Sequence, residues 1–565
     1  MKKLGLVILI LIVALTCTFA TNYQKTYLMT DDIWIRANRL CISTGHLGPT
    51  PVSPTTGAEI LNAIERLDYN SLTAAQKNEY DYIVRELTDP TEEIAFTADN
   101  IILDPNLFIN AEAYGFSHLK DTPVDEFFVP YRDRLPFLNI GLNAHFGDIA
   151  YFELEYLYKD NNAPSDSNFF SFTNFSFLVA PTIDGDWTFF FKENGVTRDQ
   201  PMRVGGSFGN DYMNLYIGRT RQEFGNGVTG NLVIGDNFSF QEVVKASFFS
   251  DIFTYDLSLT HFDNIEYNQS FKLSGMHQNR LIHRFEFNIL NKFRFALNIG
   301  AHMLSDSPFD IRMLNPMMIV HNWNNNKESI AWNPNNGDET NNIMGFEFEW
   351  AFYPGFIAGA QVVIDQFRLP VETSSTVPSA YGFILNLKHV ALLDKGYLES
   401  YVEGAYTSPY LYLNKKTYNP SGTEEAGDDM WMLDHIVGYY LGNGYYETGY
   451  TGYGYGPDSI VLALGTEYSA FSSWSVGGDI MFMAHGEYGK ESWRLKDNRD
   501  DKEASTPSGV VEYTLTLSVD GSYSILDNLD LNAAIFTSFK WNYHNSPSKF
   551  RTDVQAAVGL SWTVL

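Results

Sequence analysis

The 565-residue sequence predicts an all-β transmembrane barrel preceded by a small N-terminal α-helical bundle, on three observations. First, from about Ile282 onward, segments of roughly ten residues are joined alternately by tight turns and long polar loops, as in outer-membrane barrels. The tight turns are Asn291-Lys292, Pro354-Gly355, Asp394-Lys395-Gly396, Ser472-Ser473 and Asp527-Asn528; the long loops are about 301–342, 366–380, 407–458, 486–509 and 541–549. Antiparallel neighbours joined in this way put every tight turn at one end and every long loop at the other. Second, the segments alternate with period two. Third, aromatic residues make up 15% of the chain, with 34 Tyr and 42 Phe, a surplus that interfacial girdles use.

The first element, residues 1–20, reads as a cleaved signal peptide. Lys2-Lys3 precede the apolar run Leu4–Leu15, and Thr18-Phe19-Ala20 supplies small residues for cleavage. That run is too short for a comfortable transmembrane helix. Ala14-Leu15-Thr16 is a poor lipobox, so Cys17 is not read as lipidated. No later segment has about eighteen consecutive apolar residues, and without helices only a closed barrel satisfies its backbone groups in lipid.

Residues 21–92 form the expected periplasmic bundle. Thr30 is read as the cap of a helix over Asp31–Leu40. Two capping boxes follow, Thr56-Gly57-Ala58-Glu59 and Thr73-Ala74-Ala75-Gln76, each opening an apolar-faced helix. Pro49, Pro51 and Pro54 lie where no helix continues.

Residues 93–565 are the expected outer-membrane barrel. Phe152, Leu154 and Tyr156 alternate with Glu153 and Glu155; Phe285, Phe287 and Ile289 with Arg284, Glu286 and Asn288. Phe346, Phe348 and Trp350 alternate with Glu347 and Glu349, and Leu515, Leu517 and Val519 with Thr514, Thr516 and Ser518. A soluble sandwich also alternates, so loop asymmetry and aromatic content decide for the barrel. Phe550–Val564 follows a long loop and descends to the same side as the helices, so the strand number is even. The expectation is eighteen, within a range of sixteen to twenty. A barrel that wide cannot be filled by its own wall.

The net charge of −30 excludes nucleic acid as a partner, since phosphate binding needs a basic surface. Only Cys41 survives signal cleavage, which leaves no internal disulfide and no thiolate metal cluster. No nucleophile-elbow, zinc-protease or P-loop pattern stands in a convincing context. The acidic pairs Asp338-Glu339 and Asp428-Asp429 lack calcium-loop spacing. No catalytic residue, metal or cofactor is therefore assigned.

An ordered series of motifs remains. Ile217-Gly-Arg-Thr-Arg-Gln-Glu-Phe-Gly-Asn-Gly227 is followed by Gly230-Asn231-Leu232-Val233-Ile234 and Asp236-Asn237. Leu281-Ile282-His283-Arg284-Phe285-Glu286-Phe287, Leu314-Asn315-Pro316-Met317, Tyr440-Leu441-Gly442 and Gly456-Pro457-Asp458 come after it. The series resembles the Wzi capsule-assembly family of outer-membrane proteins. Phe224 stands where that family usually has Trp, and the chain ends on Leu565 rather than an aromatic residue. The resemblance implies an eighteen-stranded barrel closed by helices and loops, acting as a lectin for capsular or other surface polysaccharide. It leaves open whether polysaccharide export machinery docks below.

Two residue sets are candidates. Glu153, Glu155, Arg284, Glu286, Arg294, Glu347 and Glu349 should line the lumen, where ion pairing alone accounts for them. His283 falls on the face opposite Arg284 and reads as an interfacial or strand-end residue rather than a metal ligand. Trp323, Asn325, Trp332 and Asp338 in one loop, with Tyr445, Tyr446, Tyr450 and Tyr453 in another, suit a polysaccharide. Rings cover the apolar faces of sugars, and amides or carboxylates bond their hydroxyls. The expectation is a non-enzymatic outer-membrane protein in contact with lipid and binding surface polysaccharide. A porin for small solutes is the alternative, and a barrel enzyme acting on lipid or glycan ranks third.

Overall fold

The computed structural model describes residues 21–89, 96–98, 101–118, 128, 131–158, 171–174, 201–263, 277–305, 311–320, 339–366, 379–412, 414–417, 429–432, 436–442, 445–471, 473–489 and 505–565. Eighteen antiparallel strands close into a barrel, the expected number. They are β1 Ile101–Phe116, β2 Leu138–Phe146, β3 Ala150–Tyr158, β4 Pro201–Asn210, β5 Met213–Thr220 and β6 Gln241–Phe249. Then come β7 Phe253–Phe262, β8 His277–Ile289, β9 Phe293–Ser305, β10 Glu339–Tyr353, β11 Phe356–Gln366 and β12 Ala380–Leu393. The last six are β13 Gly396–Thr407, β14 Ser459–Ala470, β15 Trp474–His485, β16 Glu512–Leu526, β17 Leu529–Trp541 and β18 Phe550–Thr563. Closure is made by β18 on β1, where the Val564 amide donates to the Leu107 carbonyl at 2.8 Å.

Alternation along each strand separates a wet-looking inside from an oily outside. Phe287, Trp350, Leu385, Leu462, Val519 and Val558 point outward and are exposed, while Arg284, Glu347, Asn386 and Gln361 point inward and are buried. A large exposed apolar band is stable only against lipid or a partner.

Three helices precede the barrel: α1 Asp32–Ser43, α2 Gly57–Glu65 and α3 Ala74–Thr88. Both expected capping boxes form, with the Thr56 hydroxyl accepting from the Glu59 amide and the Thr73 hydroxyl from the Gln76 amide. The first helix corrects the sequence reading: Asp31, not Thr30, stands at the N-cap, and the helix runs on to Ser43. Asp31 turns its carboxylate back to the Leu28 amide at 2.8 Å, while buried Cys41 and Ile42 extend the packed face. The three helices share one core around Leu40, Ile60, Ile64, Ile83 and Leu87. They sit at the tight-turn end against the wall. The Leu47 amide donates to the carbonyl of Asn291 in a tight turn, and Arg39 reaches Glu399 on β13 at 2.7 Å and Glu467 on β14 at 3.0 Å.

Candidate functional site in the lumen and at the mouth

The lumen is packed from both ends. From the tight-turn end, the chain after α1 climbs inside the wall until Val52-Ser53 pair with Glu223-Phe224. From the long-loop end, residues 221–240 between β5 and β6 fold inward to meet them. Phe224, Leu232, Val233 and Ile234 join Val52, Ile282, Val363, Tyr412 and Tyr453 in one buried apolar core. Gly225 and Gly230 have φ of +121° and +130°, a backbone that side chains resist, and their turn brings the loop back on itself. Two carboxylates hold it. Glu403 accepts from the Val228 and Thr229 amides at 2.7 Å each, and Glu223 accepts from Asn231 Nδ2 at 2.7 Å.

Five of the seven expected lumen residues form one ladder. Arg284 donates to Glu286 at 2.5 Å and to Glu347 at 2.8 Å, and Arg294 reaches Glu286 at 3.0 Å and pairs with Glu349. Buried charges persist only when paired and bonded like this. The ladder also grips the filling. Thr50 donates to Glu286 and Arg294 donates to the Gly48 carbonyl from below, while Asn226 donates to Glu349 from above. Glu153 pairs with Arg203 at 2.8 Å and accepts from Thr26, and Glu155 accepts from Asn139. Sequence reasoning missed Thr50, Asn226, Arg203 and Glu403. The Gly225–Asn231 stretch was a legible turn signal, but nothing local showed that it enters the lumen.

Two polar cavities remain beside the bundle. One of about 250 Å³ lies between α1 and the inward loop, lined by Trp34, Asn38, Arg39, Asn226 and Lys388. One of about 280 Å³ lies against β1–β4, lined by Tyr27, Asp31, Asn106, Asn143 and Arg203. Both stand at the helical end of the lumen. Beside the first, burial pushes the Glu223 carboxyl up to about 7, with Asp236 adding to the rise and Arg221 and Lys388 opposing it. In α1, burial pushes the Cys41 thiol up to about 12.

At the long-loop end the candidates divide. Trp323, Asn325, Trp332 and Asp338 lie outside the described residues. Tyr445 and Tyr446 stand at the tip of a hairpin, in register with Gly442 and Tyr440. Tyr450 and Tyr453 are corrected by their burial, at 4% and 0% exposure. Tyr453 bonds Thr229 through its hydroxyl and donates its amide to the Tyr412 hydroxyl at 2.8 Å, and its ring packs the core instead of facing outward. Gly residues between the tyrosines let the chain turn inward, and burying two rings there removes more apolar area from water than leaving them at the rim.

A group not singled out from sequence lies at the rim of β17 and β18. Tyr543 and exposed His544 stack with ring centroids 4.0 Å apart. The Arg551 guanidinium lies 4.8 Å and the Lys540 ammonium 5.2 Å from the Tyr543 ring, and Arg551 donates to the Tyr543 hydroxyl at 3.0 Å. Asp553 holds Arg551 at 2.8 Å and meets His118 at 3.0 Å. This is a ring platform edged with cations on a strongly acidic protein.

No protein-family model matches the chain, and no curated protein matches its sequence. Solved structures do match the fold. An Escherichia coli structure described as Wzi, an outer membrane protein involved in group 1 capsule assembly and a carbohydrate-binding β-barrel, aligns with 95% of this chain and 98% of its own. The TM-score is 0.54 and the identity 13%. The chain has an outer-membrane barrel fold. Pseudomonas aeruginosa OccK3 aligns with 82% of this chain and 96% of its own, at 8% identity and a TM-score of 0.38. The Acinetobacter baumannii channel DcaP aligns with 83% and 99%, at 8% and 0.34. The likeness to Wzi is one of fold.

Proposed function

We propose that the protein is a non-enzymatic outer-membrane barrel that holds surface polysaccharide at the cell exterior. The helices then lie in the periplasm and the long loops outside. The observation that carries this reading is the filled lumen: Val52 from one end meets Phe224 from the other inside a dry apolar core. A wall kept for solute passage would leave its interior to water. Here its charges are consumed in holding the filling.

The functional surface is then the mouth. The stacked Tyr543–His544 rings, with exposed His544 outermost, suit the apolar face of a sugar. The loop residues Trp323, Asn325, Trp332 and Asp338 and the hairpin residues Tyr445 and Tyr446 extend the same chemistry. A further partner of this reading is the export machinery that delivers the polymer.

Purified protein in detergent micelles, presented with surface polysaccharide isolated from its own bacterium, tests the proposal. Saturable binding, with loss of cell-attached polymer in a deletion strain, is expected. No binding together with an unchanged surface layer overturns it. A steady open current in a planar bilayer would instead support a channel.

A further inference from the structure

The outward face of β8 changes character half-way along its length. Near the tight turn, Phe287 and Ile289 stand bare, at 44% and 52% exposure. Further up the same face, Leu281 and His283 are wholly buried, although their side chains point away from the lumen. What covers them is the described part of the long loop after β9: a 3-10 turn Ile311–Leu314 and a short helix Pro316–Val320. Met313 and Ile319 press onto outward residues Leu281, Ile299, Ala301 and Met303, with Leu257, Phe285 and Leu297 around them. Residues 311–320 lie on the outside of the barrel.

Its seat is built for it. Two polar side chains beneath it are matched to its backbone. His283 Nε2 meets the Met313 carbonyl at 2.8 Å, while its Nδ1 meets the Tyr255 hydroxyl at 2.8 Å. Asn342 Nδ2 on β10 donates to the Ile319 carbonyl at 3.2 Å. A histidine and an asparagine on a lipid-facing wall would otherwise be costly, and the strap satisfies both.

The strap's other side is apolar. Ile311, Leu314 and Met317 are exposed at 72%, 44% and 48%. Asn315 is turned onto the strap itself, accepting from the Met317 amide at 3.1 Å. Height fixes the surroundings. His283 is six residues above Ile289, and about 3.3 Å per residue at a tilt near 40° places it roughly 15 Å up a hydrocarbon band of about 25 Å.

We infer that residues 311–320 form an external strap immersed in the acyl layer of the outer leaflet, with Ile311, Leu314 and Met317 in contact with lipid chains. The inference rests on the membrane reading above. Its ground is continuity: the strap covers Leu281, Ile299, Ala301 and Met303 and presents Ile311, Leu314 and Met317 in their stead.

Spin labels on Leu314→Cys and Met317→Cys test it, in the full chain reconstituted into palmitoyl-oleoyl phosphatidylcholine vesicles. Phe287→Cys on the bare wall and Lys549→Cys at the mouth are references, and buried Cys41 stays unlabelled. Collision with oxygen and protection from a nickel chelate should match the Phe287 label. Nickel access at both strap labels with protection at Phe287 overturns the strap alone. Nickel access at Phe287 as well overturns the membrane reading. Dipolar broadening between strap labels would make a second copy the occupant and overturn the lipid contact.

Discussion

The Thr50 hydroxyl donates to Glu286 at 3.0 Å, tying a segment that enters from the helical end to the wall near its tight-turn end. Glu286 also takes Arg284 and Arg294, so one carboxylate serves two cations and the filling together.

Removing that carboxylate takes one of two acidic partners from each of two buried guanidinium groups, leaving Arg284 with Glu347 and Arg294 with Glu349. Glu286→Ala should destabilise the protein by about 3–5 kcal/mol, whereas Thr50→Val should cost about 1 kcal/mol. Denaturant unfolding measures both. Limited proteolysis should also find residues 45–55 newly cleavable in the first variant.

Releasing the inward loop should open a path. Glu403 clamps the Val228 and Thr229 amides, and Glu403→Ala leaves these donors without their acceptor. Planar-bilayer recordings should show a quiet wild-type protein and frequent openings in the variant. Equal quiet in both would assign the closure to the apolar core alone.

Acidity should change the stability of the filling. The Glu223 carboxyl, ordinarily near 4.5, is raised to about 7 chiefly by burial. The unfolded chain therefore gives up this proton first as pH rises. Its stabilising contribution is complete below pH 4.5 and lost as pH climbs through 7, on the order of 3 kcal/mol. Glu223→Gln should be more stable than the wild type at pH 8 and should lose the difference at pH 4, by denaturant titration.

Cys41 is wholly buried with its thiol raised to about 12. Maleimide at pH 7.5 should leave the folded protein unmodified and label it once it is denatured. Labelling of the native protein would show that the bundle undocks from the barrel.

At the mouth, Tyr543→Ala removes the ring that the two cations flank. Affinity for the surface polysaccharide should fall about five- to tenfold, consistent with about 1 kcal/mol for an exposed ring contact. Unfolding should be nearly unchanged, and Tyr543→Phe should keep most of the binding.

The barrel was legible because lipid and lumen impose opposite chemistries on alternate residues, as Glu347 and Phe348 show. The capping boxes were legible because Thr56 and Glu59 need only each other. The lumen filling was not, because Val52 and Phe224 are far apart in sequence and meet only through the closed wall. Tyr453 misled for the same reason: a loop tyrosine reads alike whether it faces water or Tyr412. His283 shows the converse. Its outward phase was right, but the cover that buries it is a loop some thirty residues on.

The meeting of Val52 with Phe224 has a consequence for assembly. Neither half of the filling is dry without the other: the climbing segment alone would leave Val52 in water, and the inward loop alone would leave Phe224 there. A ring of strands formed first would still be flooded. Expelling that water is one shared event, to which both ends of the lumen contribute, and hydrogen exchange should protect the Phe224 and Gly225 amides together.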